Sequence, residues 1–449
     1  MYDTLEEIAR REFRDLVSDD VRRVMGDPRR SACRGRTGRR SSRWCRSDNL
    51  PVLVRVEIYR HTPHVFERLL LRRLQATPRS VLLLGPRQVG KSTLLGSMKP
   101  DLVLNLADPG VHRRYVARPE LLLEILEAAP ATTRTVFIDE VQKVPALLDA
   151  LQVILDSKPK RFRFLLSGSS ARKLKRGQAN LLPGRVVVYS MHPLLERELG
   201  ARFKLGRALA HGTLPATWME DDPDRRAELL RSYADVYLRE EIQAEALVRD
   251  LGGYARMLDF VAAASGTIVN VNALRRAAEI QHETARRYLD VLEETLVMFR
   301  VPAWSGSDRA SLIAHPKLYL FDIGVRNALL RRPLDRPLED EKGLLLKHFI
   351  AQELHRRTGT LWPEARLFHY RTKHGAEVDF VLEVGRDLWG IEVKSARTAS
   401  PDMLTGLHSL ADRTKRLQRK ILVCTTDRRA RLGDVEVLPI QEFLGELPV

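Results

Sequence analysis

Residues 81–95 read Val81-Leu-Leu-Leu-Gly85-Pro-Arg-Gln-Val-Gly90-Lys91-Ser92-Thr-Leu-Leu95. An apolar run, a turn with glycine at both ends, and Lys-Ser opening a second apolar run match Gly-x4-Gly-Lys-Ser/Thr, the phosphate-gripping P-loop. The alternative is a chance match in a glycine-containing turn. The context argues against it, because a strand precedes the turn and a helical stretch follows. Glycines let main-chain N–H groups turn inward around a phosphate, and the helix N-terminus adds a favourable field for the anion. Nucleotide contacts are therefore expected from Gly85, Pro86, Arg87, Gln88, Val89, Gly90, Lys91, Ser92 and Thr93. Lys91 would neutralise the β- and γ-phosphates and Ser92 would bind magnesium, so ATP and Mg2+ are the expected cofactors.

Working outward, Thr135-Val-Phe-Ile-Asp139-Glu140 is an apolar strand ending in two carboxylates. Asp139 is expected to hold the magnesium through its water shell, and Glu140 to polarise the attacking water as general base. Taken alone, such a pair is a solvated strand end; after the first motif it reads as the second half of a hydrolytic site. Arg163-Phe-Leu-Leu-Ser-Gly168-Ser169 gives a further strand, whose Ser169 is either a γ-phosphate sensor or part of a plain turn. Arg185 precedes another strand. It is either a surface residue or a group that reaches the γ-phosphate, in its own subunit or a neighbour's.

Strands are expected at Val81–Leu84, Leu102–Leu106, Thr135–Asp139, Phe162–Ser167 and Val186–Ser190. Short apolar runs separated by helix-length segments predict an α/β domain with a parallel sheet covered on both faces, spanning residues 58–204. Residues 205–305 read as mostly helical. Within them two helices break near Gln281. The second carries Ala285, Tyr288, Leu289, Leu292 and Leu296 on one face, and a strand at Val297–Val301 follows. Helix, turn, helix and wing suggest a winged helix, although Arg286 and Arg287 alternate with Glu283, Asp290, Glu293 and Glu294, so a protein-binding or purely structural role competes with DNA binding.

Residues 306–449 return to mixed α/β, with strands at Leu318–Phe321, Val378–Val384, Leu388–Val393 and Lys420–Cys424. Here Asp379 lies on one strand of a hairpin, and Glu392 and Lys394 share a face of the other. Two carboxylates and a lysine on one wall are candidates for a catalytic magnesium centre, with Glu353 from the preceding helical stretch as a third carboxylate. Glu-x-Lys is common on exposed strands. The apolar Phe380, Leu382, Ile391 and Val393 instead suggest burial, and buried charges need pairing or a metal. The arrangement resembles the PD-(D/E)xK nuclease fold.

Together these stretches resemble the bacterial and archaeal AAA-type ATPases that carry the C-terminal domain of unknown function 4143. The resemblance rests on the P-loop, Phe137-Ile-Asp-Glu-Val-Gln142, Ser167-Gly-Ser-Ser170, Leu182-Pro-Gly-Arg185, His192-Pro-Leu-Leu-Glu-Arg-Glu198, Tyr233-Ala-Asp-Val-Tyr-Leu-Arg-Glu-Glu-Ile242, Leu318-Tyr-Leu-Phe-Asp-Ile-Gly-Val325 and Val378-Asp-Phe-Val-Leu382. It runs over roughly residues 58–449. It implies an AAA-like P-loop core, a winged-helix segment and a restriction-endonuclease-like C-terminal domain.

The 449 residues carry a formal net charge of +17, which favours a polyanionic partner, nucleic acid and DNA first. Residues 29–46 hold eight arginines and no acid, so a local stretch supplies much of that excess. After a possible helix over Leu5–Val24, the region 1–57 reads as an Arg-rich extension too charged to fold alone. A nucleic-acid-binding arm, a disordered linker and translation upstream of the true start all fit it. Three cysteines without Cys-x-x-Cys spacing indicate neither a zinc site nor a disulfide framework and fit a reducing cytoplasm. An acidic start without an apolar core is unlike a signal peptide, and no apolar run is long enough to span a membrane. Two functions compete: a magnesium-dependent ATPase acting on or with DNA, carrying a metal-nuclease domain, or a non-nucleolytic ATP switch that binds DNA or a protein. A homo-oligomer is compatible with either.

Overall fold

The computed structural model describes residues 66–158, 161–169, 182–237, 250–305, 313, 315–337 and 339–448. The expectations for residues 1–57 lie outside them.

After α1 (Leu70–Ala76), strand β1 (Ser80–Leu84) leads through the P-loop into α2 (Lys91–Gly96). Then come β2 (Leu102–Asn105), α3 (Pro109–Ala117), α4 (Leu121–Ala128), β3 (Thr135–Asp139), α5 (Leu147–Ser157), β4 (Arg163–Gly168) and β5 (Val186–Ser190). The five strands are parallel, in the order β2-β3-β4-β1-β5. All five residues of β1 are buried. Its alternate residues serve two cores, as the two-residue strand period requires. Val81 and Leu83 pack with Leu70 and Leu74 of α1, and Leu82 and Leu84 with Leu148 and Leu151 of α5. The order inserts β4 between β1 and β3, so the loop after β1 and the carboxylates after β3 flank the end of β4.

The middle region contains α6 (Leu205–His211), α7 (Pro223–Ser232), α8 (Leu251–Ala263), β6 (Thr267–Ile268), α9 (Val271–Ala278), α10 (His282–Glu294), β7 (Met298–Val301), β8 (Lys317–Leu320) and α11 (Ile323–Leu329). Asn270 caps α9 by accepting from the amides of Asn272 and Ala273. The expected face of α10 is buried at Ala285, Tyr288, Leu289 and Leu292, whereas Leu296 lies past the helix end at φ 60°. Strands β6, β8 and β7 form an antiparallel sheet in that order. Strand β8 therefore belongs here and not to a C-terminal unit beginning at 306. The long connection from β7 to β8 reads as a boundary, but it is an arm between two paired strands.

The C-terminal region begins with α12 (Lys342–Thr360) and continues through β9 (Ala365–Arg371), β10 (Glu377–Val384), β11 (Asp387–Lys394), α13 (Thr405–Ala411), β12 (Leu417–Cys424), β13 (Ala430–Leu432), β14 (Val435–Pro439) and α14 (Ile440–Glu446). The sheet order is β13-β14-β12-β11-β10-β9; β9, β10 and β11 are antiparallel, and β12 runs parallel to β11. Phe380, Leu382, Ile391 and Val393 pack with Phe349 and Ile350 of α12. On the other side Val378, Val381 and Leu422 meet Leu407 and Leu410 of α13. Gly406 is needed where α13 crosses β10, because a Cβ there would run into the carbonyl of Glu377. Among the described residues no helix is long and apolar enough to cross a membrane.

Candidate functional site

The P-loop closes as its glycines require. Gly90 adopts φ 93°, open to glycine and strained for other residues. A Cβ on Gly85 would strike the carbonyl of Met191 at the end of β5. The Lys91 ammonium is buried inside the loop and donates to the carbonyls of Gly85 (2.8 Å) and Pro86 (2.9 Å). Ser92 opens α2 and donates to Asp139 Oδ1 at 2.9 Å. A hydroxyl and a buried carboxylate in contact are a donor set suited to magnesium carried by a nucleotide, so these two residues fit the ion expected from the sequence.

Strand β3 ends with Asp139 buried and Glu140 half-buried. Glu140 is left-handed, at φ 58° and ψ 44°; for an L-residue this costs about 1–2 kcal/mol, and surrounding contacts must hold it. The Glu140 amide donates to Ser167 Oγ at 3.0 Å, and Ser167 in turn donates to Asp139. Gln142 Nε2 donates both to Glu140 Oε2 (2.5 Å) and to Ser169 Oγ (3.1 Å). Ser169 is thus placed beside Glu140 at the end of β4.

Arg185 is located elsewhere. Because Ser80 pairs with Val186 and Leu84 with Ser190, Arg185 lies at the sheet end opposite the P-loop, roughly 16 Å away at strand rise. Its guanidinium makes a two-pronged pair with Asp156 at 2.6 and 2.8 Å, on the surface. A contact with the γ-phosphate of its own subunit is therefore ruled out by position.

Sequence reasoning missed Arg68, Ser167, Gln142 and Tyr233. Arg68 donates to the carbonyls of Val89 (2.9 Å) and His192 (2.6 Å) and pairs with Glu198 at 3.1 Å, bracing the P-loop from behind. The Tyr233 hydroxyl donates to the Arg87 carbonyl at 3.2 Å, bringing the middle region onto the loop. Gln142 and Tyr233 both fall in motifs that carry the family resemblance, but neither motif assigns them a role; Arg68 has no local signal, and the partners of Arg68 and Tyr233 are far along the chain.

The C-terminal constellation is also assembled. The β10–β11 ladder pairs Phe380 with Ile391; beyond that pair, side chains take over. Asp379 Oδ2 accepts from the Val393 amide at 3.0 Å, and Glu392 Oε2 from the Asp379 amide at 3.2 Å. Lys394 pairs with Glu392 Oε1 at 2.7 Å. Burial and the neighbouring Asp379 push the Glu392 carboxyl up to about 7. Two further lysines enter: Lys347 of α12 reaches Asp379 Oδ1 at 2.7 Å, and Lys317 of β8 reaches Glu377 at 2.6 Å. With its oxygens taken by ammonium and amide donors, this set does not fit a magnesium ion, contrary to the sequence expectation. Among the described residues no group of three or more His, Cys, Asp or Glu is arranged to hold a metal.

Glu353 does not join it. Fully buried on α12, it accepts from the Glu196 amide at 3.1 Å and pairs with Arg357. Six residues beyond Lys347, it sits about 9 Å further along the helix and about 120° around it.

Residues 77–200 match an AAA domain, residues 202–336 a domain of unknown function (DUF8612), and residues 342–443 a domain of unknown function (DUF4143). The second match ends beyond β8 and α11, in agreement with their place in the middle region. Two curated relatives, the uncharacterized proteins Mb2031c of Mycobacterium bovis and Rv2008c of Mycobacterium tuberculosis, are each 28% identical over 383 residues, 83% of this chain and 83% of theirs. Among solved structures, the signal transduction ATPase with numerous domains (STAND) protein PH0952 from Pyrococcus horikoshii is 11% identical. The match covers 64% of this chain and 45% of that one, with a TM-score of 0.21. Protein VC1899 from Vibrio cholerae is 14% identical over 81% of this chain and 95% of its own, with a TM-score of 0.19.

Proposed function

This chain is an AAA-domain protein carrying the C-terminal domain of unknown function 4143, and from that premise we propose that it is a magnesium-dependent ATPase acting with DNA. The observation that carries the ATPase reading is the contact of Ser92 with Asp139 at 2.9 Å, beside a P-loop that encloses the Lys91 ammonium. Magnesium bound with ATP would be held by Ser92 and Asp139 and would draw negative charge from the phosphates. This chain's own groups do the rest. The amides of the P-loop and Lys91 bind phosphate, Lys91 exchanging its two carbonyl partners for phosphate oxygens. Glu140 accepts the proton of the attacking water, and Gln142 holds that carboxylate in line with Ser169. Because the P-loop is braced by Arg68 and touched by Tyr233, a change at the phosphates has routes into the middle region.

The DNA reading is supported by the net charge of +17 and by the middle region. Its element order α8-β6-α9-α10-β7-β8 with sheet order β6-β8-β7 supports reading it as a winged helix, with α10 as the helix that would enter a groove. The order α12-β9-β10-β11-α13-β12, with a forked β10–β11 end at Asp379, supports a PD-(D/E)xK nuclease-like C-terminal domain. The second reading, a non-nucleolytic ATP switch, is favoured by the lysines on Asp379.

Phosphate release and DNA integrity should be followed together, with ATP and magnesium, with and without single- and double-stranded DNA. Lys91→Ala is expected to abolish phosphate release. DNA is expected to stimulate release in the wild type and to stay whole. Release that ignores DNA would remove the DNA reading; cutting that Asp379→Ala abolishes would restore the nuclease. Unchanged release by Lys91→Ala would overturn the ATPase.

A further inference from the structure

We propose that Glu377, Asp379 and Glu392 form an ammonium-filled lock that fastens β8 of the middle region to the C-terminal sheet, in place of a divalent-cation centre.

Each carboxylate oxygen at the fork has a protein donor. Asp379 uses one oxygen for Lys347 and the other for the Val393 amide. Glu392 uses one for Lys394 and the other for the Asp379 amide. Glu377 holds Lys317 at 2.6 Å and Arg371 at 3.5 Å, and Lys317 also lies 3.8 Å from Asp379. Three carboxylates thus face three lysines and an arginine. A catalytic metal needs carboxylate oxygens free to ligate it and an open coordination position for water or substrate. Here Asp379 is 1% and Glu392 5% exposed. A divalent ion would have to expel ammonium groups from a wall they have already neutralised, and the expelled charges would stay close by and repel it.

The origin of the lysines says what the wall does. Lys394 belongs to the hairpin and Lys347 to α12, but Lys317 comes from β8 of the middle region and is itself only 3% exposed. A buried ammonium is tolerable only with partners of opposite charge, so Lys317 commits β8 to this spot. A second, independent set of bonds follows the same path. The Trp304 amide donates to the His369 carbonyl at 2.7 Å, His369 returns a bond to Pro302 at 2.9 Å, and Ile313 donates to Arg371 at 3.0 Å. Pro302, Trp304 and Ile313 therefore bond to β9, the edge strand of the C-terminal sheet. The middle sheet and the C-terminal sheet are thus joined by main-chain bonds of Pro302, Trp304 and Ile313 and by the Lys317 lock.

The test uses the full-length chain without nucleotide, so its outcome is separate from that of the ATPase reading. Mn2+ is titrated and the free ion is read by electron paramagnetic resonance. Wild type and Asp379→Asn are expected to bind alike up to ~1 mM. The double variant Lys317→Met with Lys347→Met uncovers the carboxylates and should bind Mn2+ at least about tenfold more tightly, a gain that adding Asp379→Asn removes. Saturable wild-type binding that Asp379→Asn abolishes would overturn the lock, and that comparison decides even where the double variant fails to fold. Hydrogen exchange tests the fastening. Lys317→Met should speed exchange at the Trp304 and His369 amides about tenfold and leave Val81–Leu84 unchanged; equal rates at Trp304 and His369 would overturn it.

Discussion

Gln142 offers the sharpest test of the proposed role of the carboxylates at the end of β3. One amide nitrogen bridges the Glu140 carboxylate at 2.5 Å and the Ser169 hydroxyl at 3.1 Å, and the side chain is 6% exposed. A hydrogen bond to a charged group contributes about 1.5–3 kcal/mol. Glu140 sits in a left-handed conformation that costs about 1–2 kcal/mol. The two terms are of similar size, so removing the bond lets Glu140 relax away from the position of a general base. Gln142→Ala should then lower kcat for ATP about ten- to hundredfold. KM should stay within about twofold, because Gln142 touches none of the P-loop residues that grip phosphate. Gln142→Glu keeps the size of the side chain but sets a carboxylate against Glu140, and it should lose kcat at least as heavily. Steady-state phosphate release at saturating ATP reads kcat, and an ATP titration reads KM. A kcat within about twofold of wild type in both variants would refute the reasoning, as would a rise in KM matching the fall in kcat.

Arg68→Ala strips a nearly buried guanidinium from Glu198, Val89 and His192. Breaking such a pair costs about 3–5 kcal/mol, to be read in denaturant melts; a loss below about 1 kcal/mol would show the brace to be idle. Arg185→Ala should leave single-subunit ATP turnover within about twofold, since the residue faces Asp156 at the far end of the sheet; a hundredfold loss would require a neighbouring subunit's site to take it up. Glu392 gives a pH dependence. Its folded carboxyl is raised to about 7 by burial and by Asp379, against the pull of Lys394 and Lys347, so the folded state holds the extra proton between the ordinary glutamate range and 7. Its stabilising share is therefore present at low pH and lost as pH rises through about 7. Thermal melts should show wild type losing ground to Glu392→Gln between about pH 5 and about pH 7, and a constant difference across that window would contradict the shift.

What could be read from the sequence was whatever repeats a short-range pattern. The apolar run before Gly85 became the fully buried β1, the run before Asp139 became β3, and the alternation around Asp379 and Glu392 became the β10–β11 hairpin, each within a residue or two. These depend on strand period and turn chemistry, which neighbours along the chain decide. What escaped were contacts made across distance. Nothing near Arg68 marks it as a brace for Val89, and nothing near Tyr233 points to Arg87. The strand expected at Leu318–Phe321 reads as part of the C-terminal region because the connection before it resembles a linker, and Lys317 carries no signal of its own. Glu353 looked like a metal ligand because its helix lies near the hairpin. Only helical phase turns it toward Arg357 and leaves Lys347 facing Asp379. Of the alternatives for Arg185, the surface position holds and the contact within its own subunit does not, because proximity to a strand does not say which end of the sheet a residue occupies.

The same long-range bonds limit where an ATP-driven motion can occur. Arg356 of α12 is buried and donates to the Leu194 carbonyl, the Thr213 hydroxyl and the Phe321 carbonyl, while Glu353 takes the Glu196 amide. Separating α12 from the segment after β5 would strand a buried charge and several polar groups at once, a large cost for a resting motion. Lys317 and the arm fix the middle sheet to the same C-terminal region. The contacts of Lys91 with Gly85 and Pro86, and of Tyr233 with Arg87, are of another kind. Phosphate can replace the first pair outright, and the second is a single bond between neutral groups. The loop Gly85–Gly90 and the helical turn at Tyr233 are therefore where nucleotide can act at least cost, with the middle region and the C-terminal sheet following as one body.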